Sequence, residues 1–158
     1  MKKAVHARDV PRPKIQTSYP EPFASLVAGR TKQKLGDVFG LTSFGVNLVR
    51  MEPSATSTVR HHHSHEDEFI YLLEGNLVLV TDTEETILEP GMCAGFRAGS
   101  GCAHQLQNRT ERVAVFIEVG SRVPGDKVEY PYDDLAVTKT PTGLVFARKD
   151  GSPYKRDA

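Results

Sequence analysis

His61, His62, His63 and His65 stand with Glu66, Asp67 and Glu68 inside residues 60–68, directly before the apolar run FIYLL. Imidazole and carboxylate groups hold divalent transition metals, and in an extended strand successive side chains alternate faces. His61, His63 and His65 therefore share one strand face, and His62 points to the other. An H-x-H pair converges on one ion, at Zn–N distances of about 2.0–2.1 Å, once a carboxylate or a third imidazole from elsewhere completes the site. On this chemistry alone two registers are open, His61 with His63 or His63 with His65. A second candidate lies in VAVFIEVG, where Glu118 interrupts an apolar run, because an acid among core residues needs a partner or a function. Arg50, Arg60 and Arg97 adjoin the same segments and are read as surface charges.

Such side chains need a frame, and the chain supplies strands. LTSFGVNLVRM, EFIYLLEG, NLVLVTD, EETILEPG, CAGFRAG, AHQLQN and RVAVFIEVG are short β-rich runs separated by Gly, Pro, Asn and Asp. Strands at this spacing predict an all-β sandwich or barrel. Residues 1–22 carry Pro11, Pro13, Pro20 and Pro22 and predict an extended arm lying over the domain or a partner subunit. Phe23, Leu26, Val27 and Leu35 have broadly helical spacing, with Gly36 as a stop, and predict one helix over Phe23–Leu35. The barrel core then occupies 23–120. The polar, turn-rich stretch 121–158, with LAVTKT and GLVFAR as further strands, forms a C-terminal extension packing on it. In a regular strand Phe69 and Tyr71 lie opposite Glu68 and pack between sheets, while Ile70 and Leu72 line an apolar pocket below the ion.

Composition narrows the partners. A length of 158 residues suits one domain with a real core, and Lys plus Arg and Asp plus Glu both total 20, so no net charge favours nucleic acid or an anionic membrane. The basic amino terminus lacks the apolar core of a signal peptide and no apolar run reaches bilayer length, which makes the cytoplasm the default location. Cys93 and Cys102 are too few for a disulfide framework, fit a reducing compartment, and are read as small core residues.

The histidine segment resembles the first motif of the cupin superfamily: two histidines with one residue between them, a glutamate after three or four intervening residues, and a glycine after six more. His61, His63, Glu68 and Gly75 match it, whereas the alternative register would need a glutamate where Phe69 or Ile70 stands. GCAHQLQN resembles the second motif, with Gly101, His104 and Asn108 in place. Ala55, Gly99 and Cys93 depart from the family pattern at turn-shaping positions. AGRTKQKLGDVFGLTSFGVNL, EYPYDDL and RKDGSPY extend the likeness to small single-domain bacterial cupins over nearly the whole chain. The resemblance implies a cupin double-stranded β-helix, a jelly-roll-like barrel, with His61, His63, Glu68 and His104 around one divalent ion (Zn, Mn, Fe or Ni).

Three imidazoles and a carboxylate leave such an ion open positions, which suit a small-molecule ligand and isomerisation of a sugar or sugar phosphate. A metal-dependent dioxygenase and a non-catalytic small-ligand binding module are the alternatives, since fold does not choose among them. An isomerase needs a base near the ion. Glu118 is the candidate, with His65 read as a solvated turn residue and His62 as facing away. A homodimer is expected from the arm and from edge strands that otherwise stay unpaired.

Overall fold

The computed structural model describes residues 4–13, 17–140 and 142–154. One helical turn, α1 (Phe23–Leu26), precedes twelve strands: β1 (Arg30–Lys34), β2 (Phe44–Met51), β3 (His62–His63), β4 (Glu68–Glu74), β5 (Leu77–Thr81), β6 (Glu85–Leu88), β7 (Cys93–Phe96), β8 (His104–Gln107), β9 (Ala114–Ser121), β10 (Val128–Glu129), β11 (Ala136–Thr140) and β12 (Gly143–Ala147). The first sheet runs β1-β2-β9-β4-β7. Facing it are β12-β11-β10-β3 and β6-β5-β8, tied together by isolated antiparallel bridges His61↔His104 and Thr56↔Gln107. This is the all-β cupin architecture. All strand pairings are antiparallel, so each strand gives alternate residues to the interior.

The interior holds Val49 and Met51 of β2, Ile70 and Leu72 of β4, Phe116 of β9, and Leu77, Leu79, Leu88 and Leu106 from the facing sheet. Full burial of each large side chain stabilises the fold by about 1.5–3 kcal/mol. A second cluster of Phe23, Val59, Tyr130 and Leu135, with Tyr19, Val137 and Phe146 against it, fastens α1 and the last strands to the barrel. Two motif residues shape the turns. Gly75 has φ +74°, and a Cβ there would meet Val113 O at 2.5 Å. Asn108, wholly buried, donates from Nδ2 to Met51 O, Glu52 O and Arg112 O and accepts at Oδ1 from the Thr110 amide and hydroxyl.

Three expectations need correction. The helix stops at Leu26, and Arg30–Lys34 is a strand paired along β2, Lys32 opposite Val49. Helical spacing of Phe23 and Val27 holds for a single turn, after which backbone pairing with β2 prevails. Phe69 and Tyr71 do not pack between sheets. They lie 41% exposed on the outer face of the first sheet, in rows with Val119 and Ile117 of β9. Cys93 is exposed at the start of β7, and Cys102 is half-buried in the loop before β8, so neither is a core residue. The described residues of the arm lie over the domain. Gln33 Nε2 donates to Ala7 O and Val10 O, and the Tyr19 hydroxyl meets Thr58 Oγ1 at 2.8 Å and the Tyr130 hydroxyl at 3.3 Å.

Candidate metal centre

The barrel mouth brings four side chains to one point from three strand ends. His61 and His104 face each other across an antiparallel bridge, the amide of each donating to the carbonyl of the other. His63 follows two residues on in β3, and Glu68 opens β4 on the opposite sheet. Around Glu68 Oε2 stand His104 Nε2 at 3.0 Å, His61 Nε2 at 3.5 Å and His63 Nε2 at 3.7 Å. Ligand atoms of His61, Glu68 and His104 all lie within 4.8 Å of one another. Alternation ends at His63: His65 is exposed in the following turn, and His62 points away, its Nε2 3.7 Å from Glu129.

Protonation follows from what lies behind each ring. His61 Nδ1 meets the Val59 carbonyl at 3.0 Å, and a carbonyl can only accept. His63 Nδ1 meets Asp126 Oδ2 at 2.7 Å. Burial opposes ionisation of Asp126, but bonds from the His65 amide, His63 and Lys139 outweigh it and hold the carboxyl down at about 2. It too is an acceptor. Both neutral rings therefore carry the proton on Nδ1 and turn a bare Nε2 towards Glu68. Burial pushes the His104 pKa down against the pull of Glu68, which also favours the neutral ring. Burial resists charge on Glu68 as well, yet the contacts with His104 and His61 hold its carboxyl well below the usual range. Glu68 Oε2 is buried without a well-formed hydrogen bond, as is His104 Nδ1. Lone pairs of imidazole and carboxylate converging in a buried space are mutually repulsive unless a cation sits among them, and this donor set fits a divalent ion.

A neighbouring group of His63, Glu66 and Asp126 also has ligand-like spacing. Lys139 Nζ already fills the cation position there, 2.8 Å from Glu66 Oε1 and 3.1 Å from Asp126 Oδ2, so this cluster braces the back of His63. Asp126 and Lys139 were not singled out in the sequence, and Glu66 stood there only among the acids of 60–68. The only signal for Asp126 is chemical: a metal-binding histidine usually donates its second N–H to a carboxylate or carbonyl.

The four groups open into a cavity of about 500 Å³. Ile70, Phe96, Leu106 and Phe116 form its apolar floor, and the Phe96 ring stacks on His104 with centroids 3.5 Å apart. Leu72 lies in the core beneath. Glu118 faces the same cavity from β9, where its Oε1 accepts from Lys32 Nζ at 2.6 Å and Asn47 Nδ2 at 2.9 Å. Tyr130, whose phenol pKa burial and the adjacent Tyr19 push upward, closes the side beside His61. No helix among the described residues is long and apolar enough to cross a membrane.

The model of the family described as "Cupin domain" matches residues 47–120. A sugar phosphate isomerase from a cupin superfamily of Silicibacter pomeroyi is 43% identical, with 96% of each chain covered and a TM-score of 0.88. A putative sugar phosphate isomerase from Acidithiobacillus ferrooxidans is 27% identical over 81% of each chain, TM-score 0.69. The polyketide cyclase RemF from Streptomyces resistomycificus, 23% identical over 84% of this chain and 87% of its own, TM-score 0.68, shares the fold. No curated protein sequence matches the chain.

Proposed function

The chain belongs to the cupin superfamily, and on that premise we propose that it is a metal-dependent isomerase of a sugar or sugar phosphate, with the ion held by His61, His63, Glu68 and His104. The observation that carries this reading is the convergence of three imidazole Nε2 atoms on Glu68 Oε2 beside a second, separately held carboxylate in one cavity. Two structures similar to this chain, at 43% and 27% identity, are described as sugar phosphate isomerases, which supports the reaction class. A divalent ion in this donor set supplies Lewis acidity, polarising a carbonyl and its neighbouring hydroxyl and acidifying the carbon between them.

The residues of the chain supply the remainder. Glu118 serves as the base. Both of its hydrogen bonds fall on Oε1, which leaves Oε2 without a partner among the described residues and directed by the Lys32 and Asn47 clamp. Ile70, Phe96 and Phe116 exclude water from the floor. The test is to incubate the metal-loaded protein with aldose and ketose phosphates in deuterated water and to follow exchange at the carbon next to the carbonyl. Exchange lost in Glu118→Gln supports the assignment. Exchange that survives removes Glu118 from the role, and no exchange with any sugar phosphate overturns the reaction class.

A homodimer is part of the same reading, and besides the arm the outer sheet face offers it a surface. Leu48, Ile117 and Tyr71 form one cross-strand row and Val46, Val119 and Phe69 the next, on the outer side of the first sheet. Apolar side chains covering a sheet face suit packing against a second copy.

A further inference from the structure

We propose that Arg30, Lys32 and Lys34 on the inner face of β1 form an anion subsite that takes the phosphate end of a phosphorylated substrate of about four to six carbons. This rests on, and sharpens, the isomerase reading. β1 is the edge strand of the first sheet, and its register places Arg30 beside Met51, Lys32 beside Val49 and Lys34 beside Asn47. Val49 and Met51 belong to the interior, so the three cations stand on the inward face of the strand. Gln33, on the alternate face, is tied to the arm instead. All three cations line the cavity that holds the metal centre, with Lys139 on its far wall.

Arg30 and Lys32 are half-buried, Arg30 donating to Ser57 O, and Lys34 stands exposed at the rim of the cavity, where its ammonium is open to an incoming anion. Lys32 is satisfied in part by Glu118, and Lys139 by Glu66 and Asp126. Lys34 has no ion pair or hydrogen bond among the described residues, and Ser18 and Thr17 of the arm bring hydroxyls to the same cavity. Of the ionised side chains lining it, Arg30, Lys32, Lys34 and Lys139 outnumber Glu66, Glu68 and Glu118 by one. A divalent ion raises that excess to three positive charges, an environment suited to a dianion rather than a neutral sugar.

Size follows from the sheet. Lys34, Asn47, Glu118 and Ile70 lie in one cross-strand row, so three strand spacings separate Lys34 from the strand that carries Glu68. That is roughly 14 Å of backbone at about 4.8 Å per spacing. Lysine and glutamate side chains reaching inward shorten the gap to the length of a small sugar phosphate. Glu118, the proposed base, stands in the same row between the two ends.

The test is calorimetric titration of the metal-loaded protein with ribose 5-phosphate, ribose, gluconate and inorganic phosphate, alongside Lys34→Ala, Lys34→Glu and, as a control, Arg109→Ala. Metal content is measured in each sample. The proposal expects ribose 5-phosphate to bind well above ribose, with weaker binding at high salt. It expects a rise of about tenfold in Kd in Lys34→Ala, more in Lys34→Glu, and no change in Arg109→Ala. Equal binding of ribose 5-phosphate and ribose, or indifference to both Lys34 variants, overturns it. Lys34-dependent preference for gluconate overturns the choice of phosphate. Because the readout is binding, a strip that binds phosphate in a protein that exchanges no deuterium would sink the isomerase reading and leave this one standing. If wild-type protein takes up no metal, inorganic phosphate titrated with and without Lys34→Glu still decides the subsite, a salt-sensitive loss supporting it and no difference overturning it.

Discussion

Replacing Asp126 by Asn removes a charge and little volume, and the structure says what that does. Oδ1 accepts from the His65 amide at 2.9 Å and the Glu66 amide at 3.2 Å, and Oδ2 from His63 Nδ1 at 2.7 Å and Lys139 Nζ at 3.1 Å. An Asn that keeps the two amide bonds turns its NH2 towards an N–H and an ammonium, so two charge-assisted bonds become donor-to-donor contacts. Each such bond is worth about 1.5–3 kcal/mol, and partial relaxation makes a loss of about 2–4 kcal/mol in folding stability the expectation. His63 also loses the partner that fixes its tautomer, which predicts metal affinity about 10- to 100-fold weaker. The pH dependence carries the same signature. The carboxyl sits at about 2 in the folded protein, below its unfolded value. Its contribution, about 2 kcal/mol, is therefore complete above the unfolded pKa and is lost as pH falls from about 5 towards 2. Urea unfolding between pH 7 and 3 reads this as a wild-type midpoint that falls more steeply than that of Asp126→Asn, and competition with a chelator reads the affinity. A variant with wild-type affinity and an equally steep fall in stability would refute the reasoning.

Asn108→Ala leaves Met51, Glu52 and Arg112 carbonyls without their shared donor, and thermal unfolding should show a loss of about 2–4 kcal/mol. Gly75→Ala drives a Cβ to 2.8 Å from Ala114 Cα in a left-handed conformation and should cost at least about 2 kcal/mol by urea denaturation, more than Gly125→Ala, where no neighbour lies within 4 Å and only the strain of a positive φ, about 1 kcal/mol, remains. Phe69→Glu together with Tyr71→Glu should convert a dimer to a monomer in sedimentation without unfolding it, and an unchanged oligomer would rule out the sheet face as its interface. Cys93 lies beside Tyr71 in the same outer row, so its exposed thiol should react faster with a thiol reagent in Phe69→Glu with Tyr71→Glu than in the wild-type dimer, and equal rates would contradict its place at that interface.

Strands that cover the core could be read directly from the chain. In β4, β5 and β9 the apolar positions that reach the interior lie in runs flanked by turn residues, and the motif spacings place His61, His63, Glu68 and His104 at strand ends facing one mouth. β1 defeats the same logic because its inward positions are Arg30, Lys32 and Lys34. They face a polar cavity, so the alternation that marks a half-buried strand is absent. Phe69, Tyr71 and Cys93 fail for the opposite reason: the outer face of the first sheet is apolar, and hydrophobicity there does not mean interior. Asp126 reaches His63 from a turn 63 residues away, in a polar stretch whose composition marks only loop. Contacts between segments so distant in sequence leave no local periodicity to read.

The central claim is that His61, His63, Glu68 and His104 hold an ion, and metal analysis of protein isolated without chelators tests it most directly. The wild-type chain should carry one divalent ion, zinc or manganese for Lewis-acid chemistry, and His63→Ala with His104→Ala should carry almost none while keeping its far-ultraviolet spectrum. Iron in the wild type would shift the reaction towards oxygen chemistry without disturbing the ligand set. Undiminished metal in the folded double variant would contradict the site itself.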